Sequence, residues 1–191
     1  MKKKIEKWVE ESGERILRYI GISEGQTVLD FGCGCGNYTI PSARIVGEQG
    51  LVYALDEDKS VVERLMNRVK VAGLKNVIKL DTPTTFDTDL DNESVDVVLL
   101  YDILHYYYFP QKRDRQQLLG EMYRILKPNA VLSLYPTHLR SRMEPKLGEV
   151  KREIEEAKFR EEGEYPGVTM AHDDNVEEGL IINFRKEKAV G

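Results

Sequence analysis

The segment Val28-Leu29-Asp30-Phe31-Gly32-Cys33-Gly34-Cys35-Gly36-Asn37-Tyr38 decides the reading of this chain. With Thr27 it opens as a short apolar run, TVLDF, the kind expected of a strand buried on both faces. Gly32, Gly34 and Gly36 follow at alternate positions, and then a helix begins, with Pro41 tolerated in its first turn. Glycines here let the backbone take left-handed angles and approach a ligand closely. The free N–H groups that start the next helix favour negative charge. Spacing separates the ligand classes. A GxGxxG dinucleotide fingerprint needs glycine where Asn37 or Thr39 stands, and a P-loop needs a Gly-Lys-Ser/Thr ending that is missing. What remains is Asp-x-Gly-x-Gly-x-Gly, with the acid, Asp30, on the strand itself.

Outward from this loop the chain alternates. Leu51 to Leu55, Val77 to Leu80, Val95 to Tyr101 and Ala130 to Tyr135 are further apolar runs. Helical patterns lie between them. One carries a capping-box signature at Ser60 and Glu63, has Val62, Leu65, Met66 and Val69 at helical spacing, and stops at Gly73. Another opens at Asp114, with Leu118, Met122 and Ile125 on one face and Pro128 just past its end. Such alternation indicates βαβ units and a parallel sheet covered on both sides. Ahead of it, Ile5, Trp8, Val9, Ile16 and Ile20 mark an amphipathic helix. After it, Leu147, Val150, Ile154 and Ala157 mark one more helix. Two extended stretches, around Glu164–Ala171 and Leu180–Lys186, then suit an edge hairpin turning at Asp173-Asp174-Asn175. The mixed-sign run Lys151–Glu164 reads as a solvated helix face. Asp56 ends the second strand, 26 residues beyond Asp30, where α/β nucleoside sites place a carboxylate on ribose hydroxyls.

Length and composition set the frame. The chain has 191 residues, 41% hydrophobic and 32% charged, the profile of one globular domain. Its net charge of −5 argues against a nucleic-acid partner, whose affinity rests on phosphate neutralisation. No apolar run approaches the ~20 residues that span a bilayer, so no stable membrane insertion is expected. No signal peptide is read at the N-terminus, and the two cysteines, Cys33 and Cys35, form no disulfide framework; a cytoplasmic protein is expected. Cys-x-Cys supplies two metal ligands of the four a tetrahedral site needs, with only three histidines elsewhere, so no metal site is expected.

Four motifs in order, VLDFGCGCGNYTIP, VYALDED, VDVVLLYDILH and EMYRILKPNAVLSL, resemble those of class I S-adenosylmethionine-dependent methyltransferases. The similarity is greatest to the small single-domain group that includes the ubiquinone and menaquinone biosynthesis enzymes. The resemblance implies a Rossmann-like, doubly wound α/β sheet of seven strands in order 3-2-1-4-5-7-6, the last antiparallel. It implies one domain over 1–191: an N-terminal capping helix in 1–22, a cofactor-binding core in 23–135, and a helix with an edge hairpin in 136–191. Carried over by position, Asp30, Gly32, Cys33, Gly34 and Gly36 line the methionine half of S-adenosylmethionine, and Asp56 binds the ribose hydroxyls with Glu57 beside it. The adenine contact falls on Thr85 and Phe86 counting back from Val95, nearer Pro83 counting forward from Asn76, or on Asp81 if the chain carries a deletion there. Tyr101, ending the fourth strand, lies against the cofactor.

The same strand runs out into Tyr101-Asp102-Ile103-Leu104-His105-Tyr106-Tyr107-Tyr108-Phe109. In a doubly wound sheet ligands sit at the carboxyl strand ends where the order reverses, so this segment faces the transferred methyl group. His105 or Asp102 is then a candidate to take a proton from the acceptor. The alternative reading makes Asp102 a turn cap, His105 a packed residue and Tyr106 to Phe109 a wall. Methyl transfer can also proceed on positioning and water exclusion alone. The resulting expectation is transfer to a small-molecule acceptor by in-line displacement, with S-adenosylhomocysteine as product; a non-catalytic cofactor-binding module or partner subunit is the alternative.

Overall fold

The apolar pentads of the sequence become the middle of a sheet, because parallel strands bury both faces and so tolerate unbroken hydrophobic runs. The computed structural model describes residues 2–81, 86–140, 145–172 and 175–187. Among these, β1 (Thr27–Phe31), β2 (Leu51–Leu55), β3 (Val77–Lys79), β4 (Val95–Tyr101), β5 (Leu126–Tyr135), β6 (Phe159–His172) and β7 (Asn175–Lys186) form one sheet in the order β3-β2-β1-β4-β5-β7-β6. The pairs among β1 to β5 are parallel, and β7 runs antiparallel between β5 and β6. This is the order and orientation the resemblance implies.

Alternate strand residues feed two apolar layers. On one side Val28, Val52, Val97 and Leu99 pack with α3 (Thr39–Val46) and α4 (Lys59–Val71). On the other, Leu29, Val98, Leu100 and Leu132 pack with α5 (Lys112–Ile125) and α6 (Leu147–Glu156). The N-terminal helix is α1 (Lys2–Lys7), a π-helical turn Trp8–Ser12, and α2 (Gly13–Tyr19). Trp8 Nε1 donates to the Thr169 carbonyl at 2.6 Å, and Asn183 Nδ2 to the Ile20 carbonyl at 2.7 Å. The helix is thereby tied to the β6–β7 hairpin, across 161 and 163 residues of chain. No described helix is long and apolar enough to cross a membrane.

Several local expectations are corrected. Asp58, not Ser60, caps α4: its carboxylate accepts the Ser60 N–H at 2.8 Å, which draws Ser60 into the first turn. β5 begins at Leu126 rather than Ala130, the strand carrying Pro128 at its start and a left-handed Asn129, with a register shift against Val95–Val97. The run Lys151–Glu164 is not a solvated helix face. The helix ends at Glu156 and β6 starts at Phe159, while Glu153 is buried against Arg115. Asp173 and Asp174 of the expected hairpin turn lie outside the described residues.

Candidate functional site

The bend after β1 is held by main-chain hydrogen bonds. Gly32 and Cys33 N–H both donate to the Leu55 carbonyl, at 2.8 and 2.9 Å, which fixes the bend against the end of β2. Gly34 N–H donates to Asp56 Oδ2 at 2.8 Å, and Asp58 N–H to Asp56 Oδ1 at 3.0 Å. Arg68 reaches over from α4 to the Cys35 carbonyl. The three glycines all have positive φ, but for different reasons. A Cβ on Gly32 or Gly36 would collide with Ile103 or Leu65, at 2.1 and 2.2 Å. A Cβ on Gly34 would meet no described atom within 4 Å. Bare backbone at Gly34 is therefore demanded by its φ of 50° and leaves room above it, the shape of a cradle for a ligand.

Asp30 lies buried beneath this cradle, its Oδ2 accepting from the Thr39 hydroxyl at 2.6 Å. Burial, with a further push from the charge of Asp56 and against the Thr39 hydrogen bond, raises its carboxyl to about 7. A cation placed in the cradle favours the ionised form and removes much of that strain. Cys33 is buried in the same loop, and burial together with Asp30 and Asp56 pushes its thiol up. It packs here as a small buried residue of the loop. Asp56 already accepts two N–H groups, and each oxygen keeps another lone pair for a hydroxyl; Glu57 is exposed beside it. The half-buried Phe86 ring stands 6.2 Å from Phe109, which in turn lies 6.5 Å from Phe31 at the end of β1. Pro83 and Thr85 lie outside the described residues, and Asp81 is exposed and paired with Lys79 at 3.4 Å.

At the end of the neighbouring strand β4 the architecture changes from backbone to side chains. Tyr101 is buried between the rings of Tyr38 and Tyr135, at 4.7 and 6.1 Å, with its hydroxyl 2.9 Å from Ser133 Oγ. Asp102 follows with a φ of 59°, rare for a residue with a side chain. All three histidines of the chain converge on it. His105 Nε2 lies 3.3 Å and His138 Nε2 3.5 Å from Asp102 Oδ1, and His172 Nε2 lies 3.1 Å from Oδ2. The Thr137 hydroxyl donates to the same carboxylate. Burial alone would raise the Asp102 carboxyl, but hydrogen bonds from His105, His172 and Thr137 hold it well below the usual carboxylate range. Behind His172, Glu177 Oε1 lies 2.9 Å from Nδ1 and accepts the Tyr135 hydroxyl at 3.1 Å.

The expected aromatic wall is only partly formed. Phe109 turns into the core, whereas Tyr107 and Tyr108 are exposed, with rings 5.7 and 5.0 Å from His105. Arg115 anchors the far end of the segment: it donates to the Phe109 and Pro110 carbonyls at 2.8 and 3.1 Å while holding Glu153 through two bonds of 2.7 and 2.8 Å. Sequence reasoning found Asp102 and His105 but missed Thr137, His138, His172, Glu177 and the Arg115–Glu153 pair. For Glu153 a signal existed, since it stands three residues after Val150 on the apolar face of α6. The two distant histidines had only their scarcity to mark them.

The methyltransferase domain family matches residues 28–129, more than half of the chain. Over 116 residues the chain is 30% identical to a demethylmenaquinone methyltransferase of Geobacillus stearothermophilus, covering 61% of this chain and 47% of that one. Over 131 residues it is 30% identical to a protein of the same name from Listeria welshimeri, covering 69% and 51%. The chain thus spans about half the length of the curated relatives it matches. The crystal structure of an S-adenosylmethionine-dependent methyltransferase from Aquifex aeolicus aligns with a TM-score of 0.75 at 25% identity, over 97% of this chain and 98% of that one.

Proposed function

The chain belongs to the methyltransferase domain family, and from that membership we propose that it acts as a single domain moving a methyl group from S-adenosylmethionine to a small-molecule acceptor by in-line displacement. S-adenosylmethionine is the cofactor of its class I relatives; its sulfonium supplies a methyl group that is already electrophilic, with S-adenosylhomocysteine as product. The observation that carries the reading is the cradle: bare backbone at Gly34 above a buried carboxylate, Asp30, with a second carboxylate, Asp56, at its rim. Two carboxyl groups so near the loop favour a cationic nucleoside over a pyrophosphate.

We assign Asp30, Gly32, Cys33, Gly34 and Gly36 to the methionine half, Asp56 and Glu57 to the ribose hydroxyls, and Thr85 and Phe86 to the adenine. Tyr101 closes the wall between the cofactor and the acceptor, its ring held edge-to-face by Tyr38 and Tyr135. Asp102 and His105 hold the acceptor at the reacting end. Asp102 orients the acceptor's nucleophilic atom and His105 receives its proton; the groups that donate to Asp102 keep it ionised and so a poor base.

Isothermal titration with S-adenosylhomocysteine tests the cradle, with saturable one-to-one binding expected; none would overturn the reading. Turnover is then followed with a panel of acceptors, demethylmenaquinone first because the relatives are named for it. Methyl transfer to any small acceptor supports an enzyme. Tight cofactor binding without transfer, together with a co-purifying subunit, would replace it with a binding module.

A further inference from the structure

We propose that Asp102, His105 and His138 form a binding site for a divalent first-row transition metal at the acceptor end, with His172 fixing the carboxylate from behind. The three donor atoms, one carboxylate oxygen and one nitrogen of each imidazole, all lie within 4.8 Å of one another. Two of the edges are 3.3 and 3.5 Å. Ligands about 2.0–2.2 Å from a shared ion stand about 3.0–3.5 Å apart at tetrahedral or octahedral angles, so these edges already have coordination length. Two imidazoles with one carboxylate is a donor set that leaves further positions on the ion open.

The surroundings resemble those of a metal centre more than those of a lone acid–base pair. Metal-binding carboxylates and histidines are themselves held by outer hydrogen bonds. Here the second oxygen of Asp102 meets His172 Nε2 at 3.1 Å, and Glu177 stands at the other nitrogen of that ring, at 2.9 Å. The residues come from the β4 exit, from the segment after β5 and from the end of β6, so three separate elements are spent on one carboxylate. Asp102 is presented from a left-handed backbone, a conformation that persists where the surrounding structure over-determines it. His105 Nε2 now shares its proton with the Asp102 carbonyl at 2.9 Å; the ion would take that proton's place, and with it bound Asp102 and His105 would orient the acceptor through the ion rather than receive its proton. The open positions suit an acceptor bearing a hydroxyl or phenolic oxygen. Only this last step rests on the methyl-transfer reading.

The test uses the full chain after chelator treatment. Cobalt(II) is titrated with visible absorption as the readout, and zinc(II) is titrated by calorimetry and in competition. One ion per chain is expected, with ligand-field bands that zinc abolishes. His138→Ala should weaken binding at least tenfold, and His172→Gln roughly 10- to 100-fold, the range of outer-shell losses. Cys35→Ser should leave it unchanged. Absence of saturable binding, or wild-type affinity in both His105→Ala and His138→Ala, would overturn the site. S-adenosylhomocysteine titrated into the same preparations keeps the two readings apart: His138→Ala should bind it as the parent does. Loss of nucleoside binding in the parent chain sinks methyl transfer and leaves the metal result standing.

Discussion

The glycine cradle and the Asp102 cluster sit at the carboxyl ends of two adjacent strands, β1 and β4, yet they are built in opposite ways. The cradle is local. Its hydrogen bonds join residues 30 to 68, most of the donors are main-chain N–H groups, and the side chains that matter are acids at strand ends. The Asp102 cluster is assembled from side chains 35 and 70 residues apart, tied by Thr137 and His172, and its loop is clamped by Arg115 to Glu153 across 38 more. A backbone-built site tolerates neighbours that change, provided the glycines stay. A side-chain-built site depends on every element that delivers a residue to it.

The largest effect expected from this difference falls on Glu153, which is far from the cradle. Glu153 and Arg115 are each 4% exposed, and removing one partner of a buried pair costs about 3–5 kcal/mol because the other charge is left uncompensated. Glu153→Ala should therefore lower the urea midpoint sharply. The double variant Arg115→Met, Glu153→Leu should recover most of the loss, since apolar replacements of buried pairs are often neutral. In the folded fraction, S-adenosylhomocysteine affinity should stay near that of the parent. If it falls in step with stability, the two regions are not separable.

Next in size is Gly34→Val. A Cβ there meets no described atom, so the folded chain pays about 1–2 kcal/mol for the left-handed backbone, while the side chain fills the cradle. Nucleoside affinity should drop at least about 100-fold, roughly 2.7 kcal/mol, with metal binding at the Asp102 cluster retained. Asp56→Ala should follow, about tenfold weaker for the nucleoside, because it removes both the rim carboxylate and the acceptor of the Gly34 N–H. Unchanged affinity in calorimetry would remove the ribose assignment.

The same contrast explains what was legible in the sequence. β1, β2 and β4 are apolar runs whose length points to buried parallel strands, and the loop after β1 is written in consecutive residues, so the parallel core and the cradle could both be read, whereas the order of the sheet came from the resemblance of the four motifs to a known family. The Ser60 capping box failed because Asp58 offered a stronger acceptor two residues earlier. Glu153 was misread because a dense charge run looks solvated until one asks which face of α6 each charge occupies. His138 and His172 were out of reach. Their roles exist only after β5 and β6 are laid beside β4, and no local spacing encodes that meeting.

The smallest effect is also the one that tests the cradle's electrostatics most directly. Because the Asp30 carboxyl is raised to about 7, the ligand-free fold favours its protonated form. Its contribution to stability is then complete below the ordinary carboxylate range near 4 and is lost as pH rises through about 7. A cationic ligand favours the ionised form instead. Nucleoside affinity should thus strengthen over the pH range in which the ligand-free fold weakens, by about fourfold between roughly pH 6.5 and 8 if only ionised Asp30 binds. Thr39 and Asp56 act on the same carboxylate, the one through its hydroxyl and the other through its charge. Asp30→Asn should flatten both profiles, in calorimetry and in urea melts alike. Parallel rather than opposed trends in the parent chain would mean that the buried acid does not face the cation.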